Sequence, residues 1–198
     1  LLRAAELRHN LEYLSDFGIE VEGKVSVNLE KVVARSREVS SRLSNGVAHL
    51  LKKNKVEYIQ GTATFTGPHE VSVDGKKTVT GTNILIATGS RSREIPGFEF
   101  DGKKVLSSRD MLGLKTLPKK LVILGAGAIG MEFAYVMNAF GVDVTVVEML
   151  DQILPLEDAD AVDVVAKAFK RYGITTMTGT KAKSVDKKGK GVKVTVEK

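Results

Sequence analysis

The chain has 198 residues, with 30 Lys and Arg against 24 Asp and Glu, and a formal net charge of +6. It contains no cysteine, which excludes disulfides, thiolate metal sites and thiol nucleophiles within it. No apolar run approaches the ~18–20 residues of a membrane span, and the charged opening LLRAAELRHN does not read as a signal peptide.

In chain order, Leu2, Leu7, Leu11 and Leu14 mark a first helix, already under way at Leu1 and ending near Phe17, with Gly18 suited to its C-terminal cap. Because that helix starts without a cap or an initiating Met, the chain is expected to be a piece of a longer protein. IEVEGKVSV (19–27) is strand-like. Asn28 can cap a long second helix, whose apolar residues Leu29, Val32, Val33, Val39, Leu43, Val47, Leu50 and Leu51 recur at helical spacing. β sequence follows in VEYIQGTATF and in EVSVDGKKTVT, a hairpin with Asp74-Gly75 at its turn. NILIATG (83–89) is nearly continuous in apolar residues, the pattern of a strand buried on both faces.

Residues 90–120 are polar, with Pro and Gly, and read as a connector carrying one short helix around SRDML. From Leu121 a new unit begins: strand LVILG, helix AIGMEFAYVMNAF, strand DVTVVE, a helix from Asp158 to Tyr172, then strands ITTMT, AKSVD and VKVTVE. The lysines concentrate in 181–198, which alternates like an exposed hairpin around Gly189 and Gly191. No aromatic residue sits among them to stack bases, so the basic charge reads as a solvated edge, not a nucleic-acid surface.

The most informative stretch is Gly125-Ala126-Gly127-Ala128-Ile129-Gly130, a Gly-x-Gly-x-x-Gly loop with a strand before it and a helix after it. Gly125 permits the turn out of the strand, Gly127 lets a pyrophosphate approach the backbone, and Gly130 lets the helix lie close to the sheet. The phosphates would meet the free N–H groups at the positive end of the helix. Glu148 stands 23 residues after Gly125, at the end of the next strand. A carboxylate there accepts hydrogen bonds from ribose hydroxyls and repels a 2′-phosphate, which predicts NAD(H) over NADP(H).

Such a loop usually opens a fold, yet here about 120 residues precede it. The order of two helices, a β-meander, an Ala87-Thr88-Gly89 strand, a connector and then the glycine loop resembles the pyridine nucleotide–disulfide oxidoreductases. So do LLRAAEL, NGVAHLLKKNKVEYIQGTATF, NILIATGSRSREIPG, VILGAGAIGMEFA and GVDVTVVEMLDQILP, which together span essentially the whole chain. The resemblance implies an α/β fold with two dinucleotide-binding domains: a Rossmann-like NAD domain, from 114 to 198, inserted in an FAD domain of which 1–113 is a part. It implies that Thr88, Gly89 and Ser90 line the FAD site and that Ala63 meets the flavin's adenine through its backbone. Gly125 to Gly130 would hold the NAD pyrophosphate, Glu148 its ribose, and Ala182 its adenine. Glu132 would support catalysis near the flavin–nicotinamide junction, where relatives pair it with a lysine.

The family relay runs from a dithiol through an enzyme disulfide and FAD to NAD⁺, and this chain has no cysteine for the middle step. The resemblance implies that the first FAD glycine loop, the redox cysteines, a later flavin motif and a dimerisation domain with a His base lie outside it. The chain alone is therefore expected to be inactive. His9, His49 and His69 match no catalytic position of the family and are expected on the surface. The resemblance, with Glu148 disfavouring the NADP-preferring members, implies a homodimer that serves the lipoyl-bearing component of 2-oxo-acid dehydrogenase complexes, in the bacterial cytoplasm or the mitochondrial matrix. Two alternatives stand beside this: an NADH-dependent flavoprotein oxidase or reductase without a redox disulfide, and a non-enzymatic NAD-binding module. A Cys-x4-Cys pair upstream of Leu1 would separate the first from the family reading.

Overall fold

A computed structural model describes all residues, 1–198. Its elements are α1 (Leu2–Asn10), a short 3-10 helix (Leu14–Phe17), α2 (Leu29–Lys53), β1 (Ala63–Gly67), β2 (Glu70–Val73), β3 (Lys77–Thr80) and α3 (Ser108–Met111). There follow β4 (Lys120–Leu124), α4 (Ala128–Ala139), β5 (Asp143–Val147), α5 (Ala159–Arg171), β6 (Thr175–Met177), β7 (Lys181–Asp186) and β8 (Lys193–Glu197). They form two compact units, one of Leu1–Arg37 with Ser92–Lys198, the other of Glu38–Arg91.

The first unit is built on a parallel sheet in the order β4-β5-β6, joined by α4 and α5. Two crossovers that step the same way across a parallel sheet, both right-handed, put their helices on one face. Asn138 of α4 accordingly donates through Nδ2 to the Tyr172 carbonyl at the end of α5, at 3.1 Å. The sheet face carrying Leu121, Ile123, Val144 and Val146 packs into the core, while the opposite face carries Val122, Thr145 and Thr175 and is more open. α4 is apolar on nearly every side, with Met131, Ala134, Val136, Met137 and Ala139 buried, because the sheet covers one flank and α1 packs on it as well. The start of α2 joins the same core through Leu29, Val32 and Val33.

Local signals act as their chemistry predicts. Asn28 Oδ1 accepts the Lys31 N–H at 3.0 Å and caps α2. Gly18 closes the 3-10 helix by donating to Leu14 and Ser15. Ser107 and Asp110 form a reciprocal capping box on α3. In the β7–β8 hairpin the register breaks between Ala182 and Ser184. The extra residue, Lys183, returns Val185 to the face shared by Ala182, Val194 and Val196, the half-buried positions of both strands.

The second unit holds an antiparallel meander, β1-β2-β3. Asp74 and Gly75 both have positive φ, 51° and 65°, and Lys76 N–H closes the turn on Val73 O at 3.0 Å.

Three expectations are corrected. Residues 19–27 form no strand, and Ile19, Val21 and Val25 are exposed. Residues 83–89, expected as a strand buried on both faces, form no regular element, and Leu85 is 90% exposed and Ile86 66%. A buried parallel strand needs ladder partners on its flanks and layers above and below; this segment has neither in its unit. Finally His9, expected on the surface, is 4% exposed. α1 lies against α4, and the imidazole stacks on Tyr172 (centroids 4.3 Å) and Tyr135 (4.8 Å). Burial also raises the Tyr135 phenol above its ordinary value.

Neither ring nitrogen of His9 has a hydrogen-bond partner, and Glu12 Oε2 stands 3.8 Å from Nδ1, beyond hydrogen-bond reach. His9→Phe keeps the stack and removes two unpaired polar atoms. It is expected to stabilise the chain by about 1 kcal/mol, read as a raised midpoint in thermal or urea unfolding.

The connector is tied to the β7–β8 turn. Lys104 Nζ donates to the carbonyls of Lys187 (2.5 Å) and Gly189 (2.8 Å), and Lys187 Nζ pairs with Asp101 at 3.2 Å. Asp101 accepts the N–H groups of Val105, Lys103 and Lys104, which hold its carboxyl well below the usual range. A depressed folded-state value means that this stabilisation is present above the ordinary carboxylate range and lost as pH falls through the folded-state value. The protection factors of the amides at 103–105, taken relative to the intrinsic exchange rate at each pH, are therefore expected to be level above the ordinary carboxylate range and to fall as pH drops below it. In Asp101→Asn they should not fall over that window.

Candidate functional site

The carboxyl ends of β4, β5 and β6 are stitched together just beyond the strands. Gly125 N–H donates to Val147 O at 2.8 Å, Glu148 N–H to Met177 O at 2.8 Å, and Thr180 N–H to Glu148 O at 2.9 Å. This is the edge of an open α/β sheet where ligands bind. Glu148, 8% exposed, turns its carboxylate back onto the backbone. Oε2 accepts the Ala126 N–H at 2.7 Å and Oε1 the Leu150 N–H at 2.9 Å. Each oxygen keeps a second lone-pair site, so a ribose hydroxyl can still donate to it.

The glycine loop has three distinct positions. Gly125 has φ 100°, a conformation closed to most side chains. At Gly130 an added Cβ would stand 2.1 Å from Gly125 O, so helix and strand end approach too closely for any side chain. At Gly127, by contrast, an added Cβ would meet nothing within 4 Å and φ is an ordinary −69°. Gly127 caps α4 without any side-chain bond, and the first helical bond is Met131 N–H to Gly127 O at 3.0 Å. Gly127, Ala128 and Ile129 are exposed, whereas Ala126 is fully buried. An uncapped helix start with an open glycine before it fits a pyrophosphate group.

The other expected site residues are distributed as follows. Glu132 is exposed on α4, two residues past Gly130. Ala182 is half-buried in β7, two residues beyond Thr180. In the second unit, Ala63 opens β1, and Thr88, Gly89 and Ser90 lie exposed in the irregular segment, with Gly89 at φ 72°. That segment exposes two hydroxyls and a glycine with nothing against it, outside any sheet. Sequence reasoning missed Leu150 and Leu154, whose N–H groups bond Glu148 and Ala126 (2.7 Å for the latter), since a backbone donor leaves no mark on residue type.

The family model described as pyridine nucleotide-disulphide oxidoreductase matches residues 3–198. The chain belongs to this family. A dihydrolipoyl dehydrogenase of Rhizobium etli is 39% identical over 100% of this chain and 45% of its own length. A dihydrolipoamide dehydrogenase of Chaetomium thermophilum is 43% identical over 100% of this chain and 40% of its own. Among solved structures, LpdA of Mycobacterium tuberculosis superposes with a TM-score of 0.84 at 29% identity, covering 98% of this chain and 44% of that one. The HOCl-induced flavoprotein disulfide reductase RclA of Escherichia coli gives 0.77 at 27% identity, over 100% and 43%. The chain thus spans less than half the length of these relatives. Its fold is that of the two-dinucleotide-binding-domain oxidoreductases, a family whose cofactors are FAD and NAD. No helix is long and apolar enough to cross a membrane.

The glycine contacts give a paired test. Gly130→Ala is expected to destabilise the chain by about 3 kcal/mol, because backbone cannot move aside as a side chain can. Gly127→Ala should cost no more than about 1 kcal/mol, the difference between Gly and Ala as a helix N-cap. Urea unfolding of both variants checks the contrast.

Proposed function

We propose that this chain is the central part of a dihydrolipoyl dehydrogenase and that its own task is to hold and orient the two cofactors. Residues 114–198 are read as most of the NAD-binding domain and 1–113 as part of the FAD-binding domain with its connector. The observation that carries the reading is the open, uncapped start of α4 at Gly127, beside an acid at the end of β5. Whole-chain identity to dihydrolipoyl dehydrogenases supports it.

In this reading the amides at Gly127, Ala128 and Ile129 bind the NAD pyrophosphate, and Glu148 accepts from its ribose hydroxyls while repelling a 2′-phosphate. Ala182 contacts the adenine. Glu132 orients a lysine of the full-length enzyme near the flavin–nicotinamide junction. Ala63, Thr88, Gly89 and Ser90 contribute to the FAD site. When bound, the cofactors supply two-electron transfer; the protein supplies binding, orientation and exclusion of water. The dithiol–disulfide step falls to a cysteine pair that this chain does not contain. The complete enzyme would take electrons from dihydrolipoamide on the lipoyl-bearing component of a 2-oxo-acid dehydrogenase complex. It would act as a homodimer, in the bacterial cytoplasm or mitochondrial matrix.

Titration of the purified chain with NADH and NADPH, followed by nucleotide fluorescence, tests the reading. NADH is expected to bind and NADPH at least tenfold more weakly; tighter NADPH binding overturns the role of Glu148. Gly127→Ala, though folded, is expected to weaken NADH roughly tenfold, about 1.4 kcal/mol, because its methyl group stands where the phosphate approaches. The chain alone should show no lipoamide-dependent NADH oxidation.

A further inference from the structure

We propose that Leu154 is a positioning residue of the dinucleotide site: its strained backbone aims the Gly127 N–H at the ligand pyrophosphate. The inference rests on the NAD reading above. Ala126 is clamped on both sides. Its N–H donates to Glu148 Oε2 at 2.7 Å, and its carbonyl accepts the Leu154 N–H at 2.7 Å. That carbonyl belongs to the same planar peptide as the Gly127 N–H, and in a trans peptide the two point in opposite directions. Drawing the Ala126 carbonyl inward to Leu154 therefore turns the Gly127 N–H outward, to the open side of the loop. Without this bond the peptide can rotate, and the first anion-facing donor loses its direction.

Leu154, the donor to Ala126, has φ 46°, in the left-handed region. For a side chain with a Cβ this is unfavourable, and such strain persists only where surrounding contacts impose it. Here they do. Ile153 is buried in the core at 3% exposure, Pro155 restricts the next step, and Glu157 N–H bonds Leu154 O at 2.9 Å just before Asp158 caps α5. The strap from Ile153 to Glu157 thus links the α5 start to the glycine loop. The residue that carries this strained conformation is also the one that donates to Ala126.

Two variants of the 198-residue chain separate this role from plain packing. Leu154→Gly keeps the N–H and takes φ 46° freely but loses apolar contact with the core. Leu154→Val keeps an apolar side chain, but β-branching opposes the left-handed conformation. The expected result is crossed. Leu154→Gly binds NADH within twofold of the unmodified chain despite a lower melting midpoint. Leu154→Val binds it at least fivefold more weakly at a midpoint no lower than that of Leu154→Gly, with faster amide exchange at residue 154. If affinity instead follows the melting midpoint in both variants, or Leu154→Val binds NADH as the unmodified chain does, the positioning role is overturned while the NAD reading stands. If the unmodified chain binds no NADH, the NAD reading falls and this inference falls with it.

Discussion

The hydrogen bond from the Ala126 N–H to the Glu148 carboxylate is the contact on which the candidate site depends. It joins the turn after β4 to the end of β5 in a buried setting, where an unpaired carboxylate or amide would be costly. The bond fixes the turn after β4 on the end of β5 with no ligand present. The same acid that a ribose would meet is thus already part of the loop's architecture. Its second oxygen holds Leu150, and through Thr180 its carbonyl holds the lead into β7. Strand ends, loop and following strap become one hydrogen-bonded assembly, and the open amides of α4 are what that assembly leaves for a ligand.

The two units differ in how their sequence meets its surroundings. In the first, a parallel sheet, two crossover helices and the flanking α1 bury one continuous core. In the second, the meander is regular, yet apolar residues outside it are left exposed: Leu43, Val47 and Leu50 on α2, Leu85 and Ile86 before the Thr88–Ser90 segment. Relatives more than twice as long match this chain along its whole length.

His9 shows how tertiary packing rewrites a residue. In sequence it is one polar position in a charged helix; in the fold, α1 lies on α4 and the imidazole becomes the middle of an aromatic cluster with Tyr135 and Tyr172. The cluster joins α1, α4 and the end of α5, so a helix preceding the sheet by more than a hundred residues helps to fix the helices that carry the glycine loop.

What could be read from the sequence was what short-range chemistry dictates. The Asn28 cap, the Asp74-Gly75 turn, the Ser107–Asp110 box and the strand–glycine loop–helix order with Glu148 at its distance each follow from a few adjacent residues and the backbone groups they satisfy. Family membership followed from the same local motifs taken in order. What only the tertiary structure decided was everything that needs a neighbour distant in the chain. NILIATG has the composition of a buried strand, but a strand exists only where others pair with it. The burial of His9 required α4 and α5. The bond from the Leu154 N–H to the Ala126 carbonyl is likewise tertiary, because a backbone acceptor 28 residues away is invisible in the identity of either residue.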